Sequence, residues 1–379
     1  MTPNAAKKRY VLTCIVFICH CTILTAQICS DIEATPMTKA LYANLFKLKD
    51  KFTILGHQDA LAYGVGWKYE NGRSDIKSVV NDNAGLYGWD IGYLELDSSK
   101  NLDGVPFNKM KNYIKEAHAM GGLVTLSWHA SNPFTGKSAW DTTPGTLRSI
   151  LPGNSAHAKY ILWLDKVALF LNDLKAKNGE HIPILFRPFH ELTGSWFWWC
   201  KNGSTPEEFI ELWRFTVNYL QKQKNIHHLI YVYNTADFKT ENDFLAYYPG
   251  DDVVDIVSFD KYQYDQKNGR EDFISIVEKQ LKIANTVAAQ KNKILAIAET
   301  GFEAIPDSIW WTNTLYPLLE KHPISFVLLW RNAGYMRSMQ KMHYYAPYEN
   351  QVSAKNFKQF YLLPKMLFQK KLSSLKIYQ

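Results

Sequence analysis

Arg187, His190 and Glu191 close a short apolar run, Ile184 to Phe186, and three tryptophans follow at positions 196, 198 and 199. A guanidinium, an imidazole and a carboxyl group at the end of one strand are equipment for moving protons and holding charge. Indole faces beside them suit the apolar C–H faces of pyranose rings. A core strand with a satisfied ion pair and a Trp-rich packing cluster would use the same residue types, but Arg, His and Glu rarely crowd a strand end for packing alone. A second acid, Glu299, ends another apolar run, Ile294 to Ala298. Read alone, Glu299 fits a salt-bridged rim glutamate equally well. As a pair, the two carboxyls match what glycoside cleavage requires. One protonates the departing oxygen, and the other attacks the anomeric carbon or activates water.

Those residues need a frame that brings strand ends together. Eight short apolar segments are bounded by polar or turn residues: Phe52–Leu55, Gly85–Trp89, Leu123–Trp128, Ile184–Arg187, Leu229–Tyr233, Asp255–Phe259, Ile294–Ala298 and Phe326–Trp330. Runs of this kind are expected of parallel strands buried on both faces. Between them lie helical periods, at 160, 161, 164, 167, 168, 171 and 174, and at 273, 276, 277, 280, 281, 284, 287 and 288. Thr205-Pro206-Glu207-Glu208 reads as a capping box opening a helix with Phe209, Leu212, Trp213, Thr216, Val217 and Leu220 on its buried face. Gly121-Gly122 ends the helix before the third strand. The alternation predicts a single (β/α)₈ TIM barrel. An open doubly wound sheet is the competing arrangement, weakened by the lack of a glycine fingerprint after the first strand. In a barrel, catalytic groups belong at the C-terminal strand ends, where this chain places His57-Gln58-Asp59, His129, His190-Glu191, Asn234, Asp260-Lys261-Tyr262, Glu299 and Trp330-Arg331. Strands four and seven face each other across the mouth, so Glu191 and Glu299 are expected to converge.

Composition narrows the class. The chain has 379 residues, 46% hydrophobic and 14% aromatic, with 12 Trp and 22 Tyr, more rings than packing alone needs. Lys7, Lys8 and Arg9, the apolar run Val11–Ile18 and a small residue at Ala26 have the anatomy of a secretory signal over residues 1–26. The domain expected after it is 27–379, exported to the periplasm or the medium. Losing those three cations lowers the net charge from +7 to +4. That balance gives no argument for nucleic acid, and no basic segment interleaves with aromatics. No stretch reaches membrane-span length. Outside the signal only Cys29 and Cys200 remain, with no metal-type spacing, and Ala26-Gln27-Ile28 fits a lipoprotein site poorly. No cofactor or metal is expected, and a monomer is the default.

Arg-Pro-Phe-His-Glu (187–191) followed by Gly-Ser-Trp-Phe-Trp-Trp (194–199) resembles the acid/base signature of glycoside hydrolase family 26, the β-mannanase family of the 4/7 superfamily. Leu55-Gly-His-Gln-Asp-Ala-Leu-Ala-Tyr-Gly, Tyr87-Gly-Trp-Asp, Leu126-Ser-Trp-His-Ala-Ser-Asn-Pro, Phe259-Asp-Lys-Tyr, Ala298-Glu-Thr-Gly and Leu329-Trp-Arg-Asn agree with it. The likeness runs from about residue 40 to the C-terminus. It implies Glu191 as general acid/base and Glu299 as nucleophile of a retaining double displacement on β-1,4-mannan, glucomannan or galactomannan. His190 would set the protonation or orientation of the acid, and Tyr262 would hydrogen-bond the nucleophile. His129 and Arg187 fall in the subsite where the bond breaks, and Asp260 is a further substrate-binding residue. Trp196 would wall the leaving-group side, Trp330 would form the sugar platform, and Arg331 would contact the next sugar on the non-reducing side.

Alternatives share the frame. Exo-acting release of mannobiose would follow if loops closed the groove, for which the stretch Ile91–Pro106 is the place to look. Mixed-linkage β-glucan or β-1,3-xylan would use the same two acids. The segment Ser131–Asn154 shows no apolar period, and Trp140 within it suits stacking on a distal sugar and solvent-side packing equally. A metal-dependent hydrolase using His57, His129 and His190 lacks the expected histidine pair on the first strand. A non-catalytic sugar-binding barrel would have no use for both glutamates.

Overall fold

A computed structural model describes residue 1, residues 29–264 and residues 269–379. The expected signal and its cleavage point lie outside the described residues. Among the described residues the main sheet has nine strands, of which the two-residue Met366–Leu367 only flanks the first; the other eight form the barrel, all parallel: β1 Thr53–Gln58, β2 Leu86–Asp90, β3 Leu123–Trp128, β4 Ile184–Pro188, β5 Leu229–Thr235, β6 Ile256–Gln263, β7 Ile294–Phe302 and β8 Ile324–Leu329. They pair in chain order, and β8 returns to β1 with Ile54 beside Phe326 and His57 beside Leu329. The sheet is therefore closed, as the (β/α)₈ reading expects, and not the open doubly wound alternative.

Strand burial explains why the sequence reads as unbroken apolar runs. Nearly every strand position is buried, because one face meets the barrel interior and the other meets helices. Ile54, Leu86, Leu123, Leu185, Ile230, Ile256, Ile294 and Phe326 belong to the inner cluster. Alternate residues such as Leu55, Tyr87, Val124, Phe186 and Val257 pack outward with the helices. Helix α1, Pro36–Leu48, adds Leu41, Tyr42 and Leu45 to the inner cluster, and Tyr42 Oη donates to the Asp255 carbonyl just before β6. It closes the end of the barrel where the strands begin. Cys29 is buried in that same plug.

The outer helices follow their sequence signals. In α2, Phe107–Ala119, the chain stops at Gly121, whose φ of +81° is a left-handed conformation that suits glycine. Helix α3, His157–Asn172, buries Tyr160, Leu164, Val167, Ala168 and Leu171 as the period predicts. Helix α4, Pro206–Asn218, has both arms of the Thr205–Glu208 capping box. Helix α5, Gly269–Gln290, buries the predicted face apart from Ile276, which lies on the exposed side. The segment after β3 is loop except for one short helix, Thr146–Ile150.

Two strands run furthest past the predicted ends. β6 and β7 continue beyond a bulge at Phe259/Asp260 and stay paired through Asp260–Glu299, Tyr262–Gly301 and Gln263–Phe302. This extension raises Tyr262 and Glu299 above the barrel rim together.

Candidate active site

Glu191 and Glu299 meet. One carboxylate oxygen of each, with one from Asp260, lies within 4.8 Å of the others. The cleft around them has a volume of about 340 Å³ and is lined by His129, His190, Trp196, Tyr262 and Trp330 among others. All of the sequence-predicted site residues are at this strand-end face except that Arg187 and Asp260 lie beneath the cleft and Arg331 lies to one side. There Arg331 is ion-paired with Asp103, a residue of the 91–106 loop.

Glu191 stands on an unusual piece of backbone. After β4 both Phe189 (φ 52°) and Glu191 (φ 54°) are left-handed, a conformation that costs non-glycine residues of order 1–3 kcal/mol. Packing and hydrogen bonds hold it. The Phe189 ring sits among Trp198, Trp199, Phe209 and Trp213. The Glu191 N–H donates to Asn234 Oδ1 at 2.7 Å, and Trp199 Nε1 donates to the His190 carbonyl at 2.7 Å. Trp196 Nε1 donates to Glu191 Oε2 at 2.6 Å. Thus the three tryptophans divide their work. Trp196 is partly exposed in the cleft, whereas Trp198 and Trp199 are buried and hold the loop, not a ligand.

Glu299 sits among donors. Arg187 Nη2 and Tyr262 Oη (2.7 Å) both donate to its carboxylate. Arg187 also donates through Nη1 to Asp260 Oδ2 at 2.9 Å, and Asn234 Nδ2 donates to Asp260 Oδ1 at 2.8 Å. Asn234 therefore links the backbone of one glutamate to the ion pair that supports the other. Burial drives the Asp260 carboxyl well above its usual range, with Glu299 and Glu191 adding to the effect and Arg187 opposing it. Burial and the neighbouring Glu299 push Glu191 up to about 7, against the pull of Trp196, Arg187 and His129. Tyr262 is raised well above 10, chiefly by burial, so it stays a protonated donor to Glu299. One carboxyl is thereby kept protonated near neutrality, while the other is held by two donors that suit an ionised group.

His129, after β3, gives Nδ1 to Asp90 Oδ2 at 2.8 Å, and its Nε2 faces His190 Nε2 at 3.1 Å. These histidines bond to a carboxylate and to each other, not to backbone carbonyls. Trp140 stacks on His129 with centroids 5.3 Å apart, so the long loop after β3 reaches the cleft. Asp90, Asn234, Tyr264 and Tyr345 are functional-face residues that strand-end reading either passed over or left without a role. Asn234 had a signal in its position at the end of β5. Tyr345 had none, because it arrives from beyond β8 and packs against Tyr262 and Gly301.

The metal reading finds no support in the arrangement. Among the described residues, His129 and His190 bring their Nε2 atoms to 3.1 Å but His57 does not join them, and the converging set of three is Glu191, Asp260 and Glu299. Two members of that set already share the Arg187 guanidinium.

The glycosyl hydrolase family 26 model matches residues 30–345. The chain belongs to glycosyl hydrolase family 26. Within that family it is similar to a β-mannanase of Bacteroides ovatus, with 42% identity and a TM-score of 0.86 over 91% of this chain and 98% of that one. The catalytic domain of an endo-β-1,4-mannanase of Bacillus sp. JAMB-750 is 29% identical, with a TM-score of 0.84 over 93% and 96% of the two chains. A mannan endo-1,4-β-mannosidase of Bifidobacterium adolescentis is 34% identical over 72% of this chain, which spans only 28% of that much longer protein. The family, the barrel and the glycoside hydrolase class expected from the strand-end motifs are all borne out. Among the described residues no helix is long and apolar enough to cross a membrane.

Proposed function

We propose that this family 26 enzyme is an endo-β-1,4-mannanase that works with retention, Glu191 being the acid/base and Glu299 the nucleophile. The carrying observation is the approach of their carboxylate oxygens to within 4.8 Å. Retaining pairs stand about 5–5.5 Å apart and inverting pairs about 6.5–9.5 Å, the wider gap leaving room for a water. The names of the relatives support mannan as the substrate.

In the first step Glu191 gives its proton to the glycosidic oxygen while Glu299 attacks the anomeric carbon, and the reducing-end sugar leaves as an alcohol. In the second, water attacks that carbon and passes a proton to Glu191, releasing Glu299. Arg187 and Tyr262 donate to Glu299 and keep it aimed at the anomeric carbon. This reading gives His129, His190 and Trp330 to the sugar undergoing cleavage, Trp196 to the leaving-group side and Arg331 to the next sugar on the non-reducing side. Because the acid must be protonated, kcat/KM falls as pH rises through about 7.

Proton NMR of manno-oligosaccharide hydrolysis tests the stereochemistry: the β-anomer appears first, and an initial α-anomer overturns retention. Comparing mannan, lichenan and xylan tests the substrate. Glu191→Ala is expected to lose roughly 10²–10⁴ in kcat on mannan while keeping fast glycosylation with an activated aryl leaving group. Glu299→Ala loses activity on both. Full turnover by either variant removes the assignment.

A further inference from the structure

We propose that Asp90 is a positioning residue that fixes a single shared proton on the His129–His190 pair and so sets a positive charge beside the carboxyl of Glu191. The consequence for catalysis rests on Glu191 being the acid/base. The arrangement of Asp90 and the two histidines stands apart from it.

Asp90 ends β2 with no exposure to solvent. It accepts from Ser127 Oγ at 2.6 Å, from the Gly92 N–H at 2.6 Å, from the His129 N–H and from His129 Nδ1 at 2.8 Å. A carboxyl group surrounded by donors is ionised. The chain is shaped for this: a side chain at Gly92 would come within 2.8 Å of the His129 carbonyl and 2.9 Å of Asp90 Oδ1. His129 Nδ1 must then carry a hydrogen, which leaves its Nε2 facing His190 Nε2 at 3.1 Å. Only one hydrogen fits on that line.

The pair thus has two states. When neutral, His190 donates from Nε2 to His129. When the pair gains a proton, the new hydrogen sits on His190 Nδ1, the bridging hydrogen crosses to His129 Nε2, and the charge rests on His129 against Asp90. Protonating both rings fully is opposed by their mutual repulsion and by Arg187. His190 Nδ1 is buried and has no partner among the described residues, so nothing else there fixes the tautomer. His129 faces Asp90 from β2, His190 and Glu191 from the end of β4, and Glu299 from β7, with Trp140 stacked on its open side. Glu191 faces Glu299, Arg187, His129 and the Trp196 indole. Without a cation on the His129 side, a carboxyl beside Glu299 would release its proton too reluctantly.

Asp90→Asn tests this, because it keeps the shape and can still accept from His129 Nδ1. Nitrogen-15 NMR of the histidines is expected to show one proton taken up by the wild-type pair, with the midpoint at least one pH unit lower in the variant. The alkaline limb of kcat/KM is expected to move up by about half a pH unit or more, with kcat changed more than KM. The direction is diagnostic: removal of the Asp90 charge alone would move that limb down. Should Asp90→Asn fail to fold, Ser127→Ala, which weakens one bond to Asp90, is expected to give smaller shifts in the same directions. Identical histidine titrations in variant and wild type overturn the proposal, and so does an alkaline limb that stays put or falls. An active Glu191→Ala enzyme would instead remove the acid/base assignment while leaving the NMR result intact.

Discussion

Between the buried carboxyls of Asp260 and Glu299 lies one guanidinium, and how it divides itself decides how much negative charge the cleft can hold. Arg187 is 1% exposed and bonds to both acids. Burial would lower its pKa, yet the attraction of Asp260 and Glu299 raises it further, so it stays a cation. Replacing it with a hydrophobic isostere leaves two desolvated carboxyls facing one another. Breaking a buried pair from one side typically costs about 3–5 kcal/mol. Arg187→Met should therefore lose about that much in urea unfolding as well as its activity. A loss below about 1 kcal/mol would show that water or protonation replaces the guanidinium. The place of Arg187 beside the cleavage site was legible in the motif, since it closes the strand that carries Glu191. Its second bond, to Asp260, was not. Nor were the roles of Asp90 and Asn234, whose partners come from neighbouring strands and have no fixed spacing from them in the chain.

At the level of elements, all eight strands could be read from the chain because double burial leaves them uniformly apolar. Their ends could not be placed as well. β6 and β7 extend through polar residues that continue the ladder past the rim, and no apolar signal marks Asp260–Gln263. The loop after β3 was legible only as an absence of period, yet it is well organised. Asn132 is fully buried, donates to the Asp141 carbonyl and Thr146 Oγ1, and accepts from the Phe134 and Thr135 N–H groups. These bonds set the course of the loop that lays Trp140 on His129. Groups left unsatisfied cost about 1–3 kcal/mol each. Asn132→Ala should speed hydrogen exchange of amides 133–145 by about tenfold or more while the barrel strands keep their protection. Unchanged exchange there would mean that the loop is held by its contact with the segment carrying Trp198 instead.

Across the whole molecule the barrel separates chemistry from stability, with the acids at one end and the α1 plug at the other. His228 belongs to the second end, immediately before β5. It is 1% exposed, stacks on His181 with centroids 4.6 Å apart, and its Nε2 has no partner among the described residues. Burial, helped by His181, pushes its pKa down to about 3. The unfolded chain, with an ordinary histidine near 6.5, takes up the proton first as pH falls. The stability owed to this neutral ring is complete above pH 6.5 and is lost progressively toward pH 3. Buried acids raised to about 7, such as Asp59 and Glu191, run the opposite way and lose stability as pH rises through 7. The net profile of the wild type therefore hides each contribution, and a single-site change is needed to expose one. His228→Gln, which cannot charge, should make Tm fall less steeply than wild type between pH 6.5 and 4. Its kcat at pH 7 should stay at the wild-type value, because the substitution lies at the far end of the barrel from Glu191. Parallel Tm curves for the two proteins would show that His228 takes no part in the acid response.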